Sequence, residues 1–232
     1  MKFSHLVVFT FFFISCQNKE VKLPINDNTG LHEVWDNSRV YVIFEEKNGD
    51  TLAQVKLGQI ISTSHWLVAV DRRFKLKHVV SPLQIILKKR HKKTVHSKEG
   101  MHAYFTFLDS IQNKISFVDF DSIQIMPGYY TSKTYFKKYT KADTGFNRFH
   151  LQINSHQITL NDSIDLSQLN KKELYDSIQG YIVQQINEKN NRLYLNFDDN
   201  IFFDRFLNYY TFFKNSSFLK TTVSKKIFIF NE

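Results

Sequence analysis

The chain has 232 residues, one cysteine and a formal charge of +9. A single cysteine excludes a disulfide framework and any site built from several thiolates. Aromatics make up 16% of the residues against only 7 glycines and 3 prolines, which excludes a low-complexity chain and favours Phe- and Tyr-rich strands packed into one large core or two small ones.

The first fifteen residues read as a secretory signal. Lys2 supplies a positive start, and Phe3 to Ile14 (FSHLVVFTFFFI) is an apolar run. That run is too short to cross a bilayer, which needs roughly twenty apolar residues, but it suits the apolar region of a signal peptide. It ends in Phe13-Ile14-Ser15-Cys16, which resembles the bacterial lipobox, with Phe13 where Leu is usual. The resemblance implies that Cys16 is acylated and becomes the first residue of a mature lipoprotein. Acylation would hold the protein at a membrane, since each buried methylene adds roughly 0.8 kcal/mol. It would also consume the one thiol, so no cysteine-based cofactor or metal site is expected. Removal of Lys2 with the signal lowers the charge from +9 to +8. Outside the cytoplasm, the counterparts of that charge are anionic lipid or acidic glycan, and nucleic acid is not expected as a partner.

Residues 16–37 are polar, with Pro24, Asn26, Asp27, Asn28 and Gly30, and read as a tether. Two α+β units are expected after it, over 38–140 and 141–232.

In the first unit, Val40 to Phe44 reads as a strand, Asn48-Gly49 as a hairpin turn, and Thr51 to Leu57 as the return strand. Trp66 to Val70 is a buried strand ending at Asp71. A helical stripe follows through Leu76, Val79, Val80, Leu83, Ile86 and Leu87, with Pro82 inside it. Pro82 allows either a start at Ser81 or an earlier start with a kink. Met101 to Phe107 and Ile115 to Phe120 complete the unit as two strands.

In the second unit, Phe149, Leu151 and Ile153 alternate with polar residues, and Gln157 to Leu160 returns as a short strand. Asn170 and Glu173 have capping-box spacing, and Leu174, Ile178, Ile182 and Ile186 form one helical stripe. Leu193 to Phe197 is a buried strand. Asp198, Asp199 and Asn200 offer N-caps for a helix bearing Phe202, Phe203, Phe206, Leu207, Tyr210 and Phe213. Ile227 to Phe230 is the last strand. Trp66–Asp71 before one helix and Leu193–Asp198 before another echo each other.

The order strand, strand, helix, strand, helix, strand over about 149–230 resembles the periplasmic domain of the ExbD/TolR family of biopolymer-transport proteins. The resemblance implies a non-enzymatic domain that dimerises and contacts envelope partners. It does not carry over the family's transport mechanism, which needs an acidic residue in an N-terminal membrane helix where this chain has a cleavable signal.

The chemistry-bearing residues are few. His91, His96 and His102 lie close in sequence but straddle a helix end, a Lys-rich loop and a strand, so a metal site is not expected from them. Asp119 and Asp121 share a strand face. Asp71, Asp198 and Asp199 sit at strand ends, where ligands bind in many α/β sheets and where acids also cap the following helix. Lys88-Lys89-Arg90-His91-Lys92-Lys93 is the densest basic run and complements a helix C-terminus. A Gly-rich phosphate loop, a G-x-S-x-G elbow and an H-E-x-x-H pair are absent from the sequence. The expectation is a lipid-anchored envelope protein acting as an interaction or scaffold module, with a possible homodimer. The alternative is a lipoprotein that binds or hydrolyses an acidic glycan or small molecule near Asp71 or Asp198-Asp199.

Overall fold

The computed structural model describes residues 20–56, 60–92, 98–127, 132–141, 143–185 and 190–231. Cys16 and the signal segment 1–15 lie outside the described residues, as do Leu57, Lys93, His96 and Ile186.

The described chain is mixed α/β, with two six-stranded sheets and four helices. The first sheet is built from β1 (Ile25–Asn26), β2 (Asn37–Lys47), β3 (Asp50–Lys56), β4 (His65–Val70), β5 (Ala103–Asp109) and β6 (Lys114–Asp119), with helix α1 (Leu76–His91) between β4 and β5. Strands β2, β4 and β5 run parallel; β3 and β6 close the two edges as antiparallel hairpin partners. Strand β1 pairs with Leu108 and Asp109 of β5. Asn48 and Gly49 turn the β2–β3 hairpin with positive φ of 56° and 83°, the geometry that favours this dipeptide.

The second sheet begins before the expected boundary at 140/141. Strand β7 (Gln124–Pro127) joins it as an edge, and helix α2 (Ser132–Thr140) packs on it. Strands β8 (Phe146–Ile153), β9 (Ile158–Leu160) and β10 (Ile164–Asp165) form its antiparallel side. Helix α3 (Lys171–Gln184), strand β11 (Asn190–Asp198), helix α4 (Phe203–Asn215) and strand β12 (Thr221–Phe230) follow. The sheet order is β10-β9-β8-β11-β12-β7, with β8, β11, β12 and β7 parallel. Helix α3 starts with the expected capping box: Asn170 and Glu173 bond each other's backbone N–H at 3.0 Å.

The two sheets share one core. Phe105 of β5 meets Phe203, Phe206 and Tyr210 of α4 edge-on, and Phe206 also meets Phe197 of β11. Helix α4 is therefore apolar toward both sheets, as its Phe-rich face requires.

Residues from Lys22 onward in the stretch expected as a tether are bound into this body. Asn26 is 1% exposed; its amide donates to Leu207 O and Thr211 Oγ1 of α4. Ile25 N–H donates to Asp204, Asn28 bonds Asn208, and Leu31 bridges Phe117 on β6. Polar composition suggested solvent, but these Asn and Asp groups satisfy backbone and side chains inside the fold instead.

The start of α1 also differs from a Pro-led one. The helix begins at Leu76 with Pro82 inside it. Its first-turn donors find partners across the molecule: Leu76 N–H donates to Ile201 O at 2.9 Å and Lys77 N–H to Asp199 O at 2.8 Å. External acceptors satisfy groups that a side-chain cap would otherwise satisfy, so the start is fixed despite the bond that Pro82 removes.

Candidate functional site

The strand-end acids come together where the two units meet. Lys75 and Phe202 form an antiparallel bridge, with Leu76 N–H on Ile201 O and Phe203 N–H on Phe74 O. Around this bridge the two turns repeat each other. Arg73 N–H donates to Asp71 Oδ1 and Phe74 N–H to Asp71 O. Asn200 N–H donates to Asp198 Oδ1 and Ile201 N–H to Asp198 O. Asp71 thus corresponds to Asp198, Phe74 to Ile201 and Leu76 to Phe203, and the joint has an approximate two-fold relation.

Each carboxylate has a structural task there. Asp71 is fully buried and accepts from Arg73 N–H, from the Arg73 guanidinium at 2.9 and 2.7 Å, and from Lys22 N–H. Burial pushes its carboxyl up, but the Arg73 hydrogen bonds and Lys22 N–H outweigh this and hold it below its ordinary value. Asp198 folds its own turn. Asp199 Oδ2 accepts from Asn231 at 3.0 Å, while its buried Oδ1 has no partner. Burial first, then Asp198, raises Asp199 against the pull of Asn231 and Lys77. None of these acids is an N-cap residue: α1 and α4 have Lys75 and Phe202 there, without side-chain bonds. The expected N-caps fold the preceding turns instead.

A cleft of about 550 Å³ lies beside the joint, lined by Arg72, Arg73, Lys171, Phe202, Asp204, Arg205, Asn208 and Tyr209. Two of its cations are already engaged, Arg73 with Asp71 and Lys171 with Asp27. Asp204 is raised by burial and holds Ile25 N–H of the N-terminal strap.

A second cleft, of about 470 Å³, lies between the end of α4 and the start of β12. Its lining includes Ser122, Ser216, Ser217, Thr221, Thr222 and Ser224 with Lys214 and Lys225, and no carboxylate or imidazole. Burial lowers Lys214 against the opposing pull of Asp119, whose backbone oxygen accepts from its ammonium group. The cleft can hydrogen-bond an oxygen-rich anion. Thr221 to Lys225, which the sequence reading passed over, supplies one wall of it; the signal was its run of hydroxyls beside Lys225 and Lys226.

The histidines separate. His102 Nδ1 sits 2.8 Å from Asp119, while His91 Nε2 sits 3.2 Å from Asp121, so Asp119 and Asp121 serve different partners. His65 accepts from His102 N–H and is lowered by burial and by His102. His150 pairs with Asp162 at 2.7 Å. Among the described residues no group of three or more His, Cys, Asp or Glu could hold a metal ion. In the basic run, Arg90 turns inward: its side chain is 5% exposed, bonds Ser62 O and Ser64 O, and lies over Trp66.

On the outer face of the second sheet, Phe136 of α2 packs on His150, Tyr194 and Phe228 at ring distances of 4.6, 5.2 and 5.9 Å. Tyr194 donates to Asp143; burial and that bond push its hydroxyl up to about 12.

Among the described residues no helix is long and apolar enough to cross a membrane. Comparison with protein-family models, curated proteins and solved structures gives no match.

Proposed function

We propose that this protein is a non-enzymatic interaction or scaffold module of the bacterial envelope, anchored by acylated Cys16. On this reading it works beside biopolymer-transport machinery, in keeping with the ExbD/TolR-like element order of the second unit. The observation that carries it is the joint: Asp71, Asp198 and Asp199, the acids best placed for chemistry, sit in the turns that join two sheets into one body. A rigid body of that kind presents faces to partners, and these acids serve its assembly. Self-association is part of the reading, through a face other than the joint, which the two units already occupy with each other.

A second reading has one observation in its favour. The hydroxyl- and lysine-lined cleft beside β12 suits a lipoprotein that binds an acidic glycan or small anion.

Affinity capture of the tagged protein from intact envelopes, after brief cross-linking, separates the two. The module predicts recovery of a reproducible envelope protein that is lost with Cys16→Ser. Recovery of no protein, together with saturable binding of an acidic oligosaccharide abolished by Lys225→Glu, would replace it with the second reading.

A further inference from the structure

The approximate two-fold relation extends from the turns into both sheets, and it exposes one difference between them. Ala69 pairs with Tyr41 and Leu67 with Arg39 in the first sheet; Asn196 pairs with Gln152 and Tyr194 with His150 in the second. With Asp71 matched to Asp198, these pairs correspond in register. Carrying the β4–β5 register one step on places Thr106 beside Ala69, where the second sheet has Phe228 beside Asn196.

In the second sheet this outer face is covered. Phe136 of α2 seats on His150, Tyr194 and Phe228. In the first sheet the corresponding residues, Arg39, Tyr41, Leu67, Ala69 and Thr106, line a groove of about 170 Å³. Among the described residues no helix lies over it. Ala69 and Thr106 are smaller than Asn196 and Phe228, which is why the groove has depth.

Two features show what it would take. Leu67, Ala69 and Thr106 are 8%, 6% and 9% exposed, and the Thr106 Oγ1 is itself buried, so the floor of the groove suits an apolar ring. Arg39 is exposed at the rim and makes no ion pair among the described residues.

We propose that this groove docks an amphipathic helix of an envelope protein, through one aromatic side chain flanked by acidic residues. The helix copies the seat that α2 takes on the other sheet. The aromatic ring fills the groove, as Phe136 fills the matching one, and an acidic neighbour pairs with Arg39. A second copy's α2 is a poor occupant, because Lys137 and Lys138 on it are exposed cations that would face Arg39. The proposal rests on the interaction-module reading and names the surface that reading uses.

The test titrates the full chain with a synthetic amphipathic helical peptide bearing one phenylalanine on its apolar face and glutamates beside it. The expected result is saturable binding, weakened at least tenfold by Arg39→Glu and abolished by Thr106→Phe, which installs the side chain found at the matching position. Thr106→Ser retains binding, and unchanged urea midpoints show that each variant is folded. Absence of binding, or binding untouched by both variants, overturns the proposal. Saturable uptake of a fluorescent fatty acid that Thr106→Phe abolishes, without peptide binding, overturns it in favour of an acyl chain. Dimerisation lost on Thr106→Phe, seen by sedimentation without peptide binding, overturns it in favour of a second copy. If the envelope partner captured with the wild type is still captured with Thr106→Phe, the groove is overturned while the interaction-module reading stands.

Discussion

Asp71 shows how one residue can look catalytic in sequence and be structural in space. A carboxylate at the end of a buried strand is a common ligand position, and nothing in Trp66–Asp71 distinguishes the two roles. The distinction lies in Arg73 two residues on and in Lys22, 49 positions away, both of which donate to it. Removal of its charge leaves Arg73 facing a neutral amide at a buried site. Asp71→Asn is expected to cost about 2–4 kcal/mol of unfolding free energy, read from urea denaturation. The pH dependence has a definite sign. The folded carboxyl is held below its ordinary value, so its stabilising effect is complete above about pH 4 and is lost as pH falls through the folded value. Acidification below pH 4 therefore lowers the wild-type melting temperature more than that of Asp71→Asn. Equal acid sensitivity would show that Asp71 is not held in this way.

At the scale of elements, the long periodic segments were legible and the short ones were not. The stripe from Leu174 to Ile182 and the Phe-rich face of α4 carry a helical period that local sequence cannot disguise. Strands β1 and β10 have two residues each and β7 has four, too few to show any period. The N-terminal strap was misread for a related reason. Its burial depends on asparagines that bond α4 some 180 positions later, and a polar stretch looks the same whether its partner is water or a distant backbone. Gly30 fixes the strap's closest approach. A Cβ there would lie 2.6 Å from Phe117 O and 2.9 Å from Phe107 Cζ. Because the first of these is backbone, relief requires the strap to move off β6. Gly30→Ala is expected to destabilise by about 1–3 kcal/mol and to speed amide exchange at Leu31, whose N–H bonds Phe117 O. Unchanged exchange at Leu31 would mean that the strap does not seat there.

At the scale of the molecule, two units that repeat a strand–turn–helix device are joined through that device. The echo between Trp66–Asp71 and Leu193–Asp198 was visible in sequence, but the pairing of the two turns was not, because Lys75 and Phe202 share no chemistry and meet only through their backbones. The joint and the shared core predict a single cooperative unfolding transition, coincident by circular dichroism and tyrosine fluorescence. Two separated transitions would show that the units are independent. The groove on the first sheet was not legible either, since it lies where, among the described residues, no helix covers the sheet as α2 covers the second one.

Acylation of Cys16 would decide where the chain is held. Its most direct test is the intact mass of the protein extracted from membranes of the producing bacterium. The predicted result is a chain running from Cys16 to Glu232 with the added mass of acyl groups on Cys16, and, for Cys16→Ser, an unacylated chain that leaves the membrane fraction. A wild-type chain beginning at Met1 with a free Cys16 thiol would contradict it.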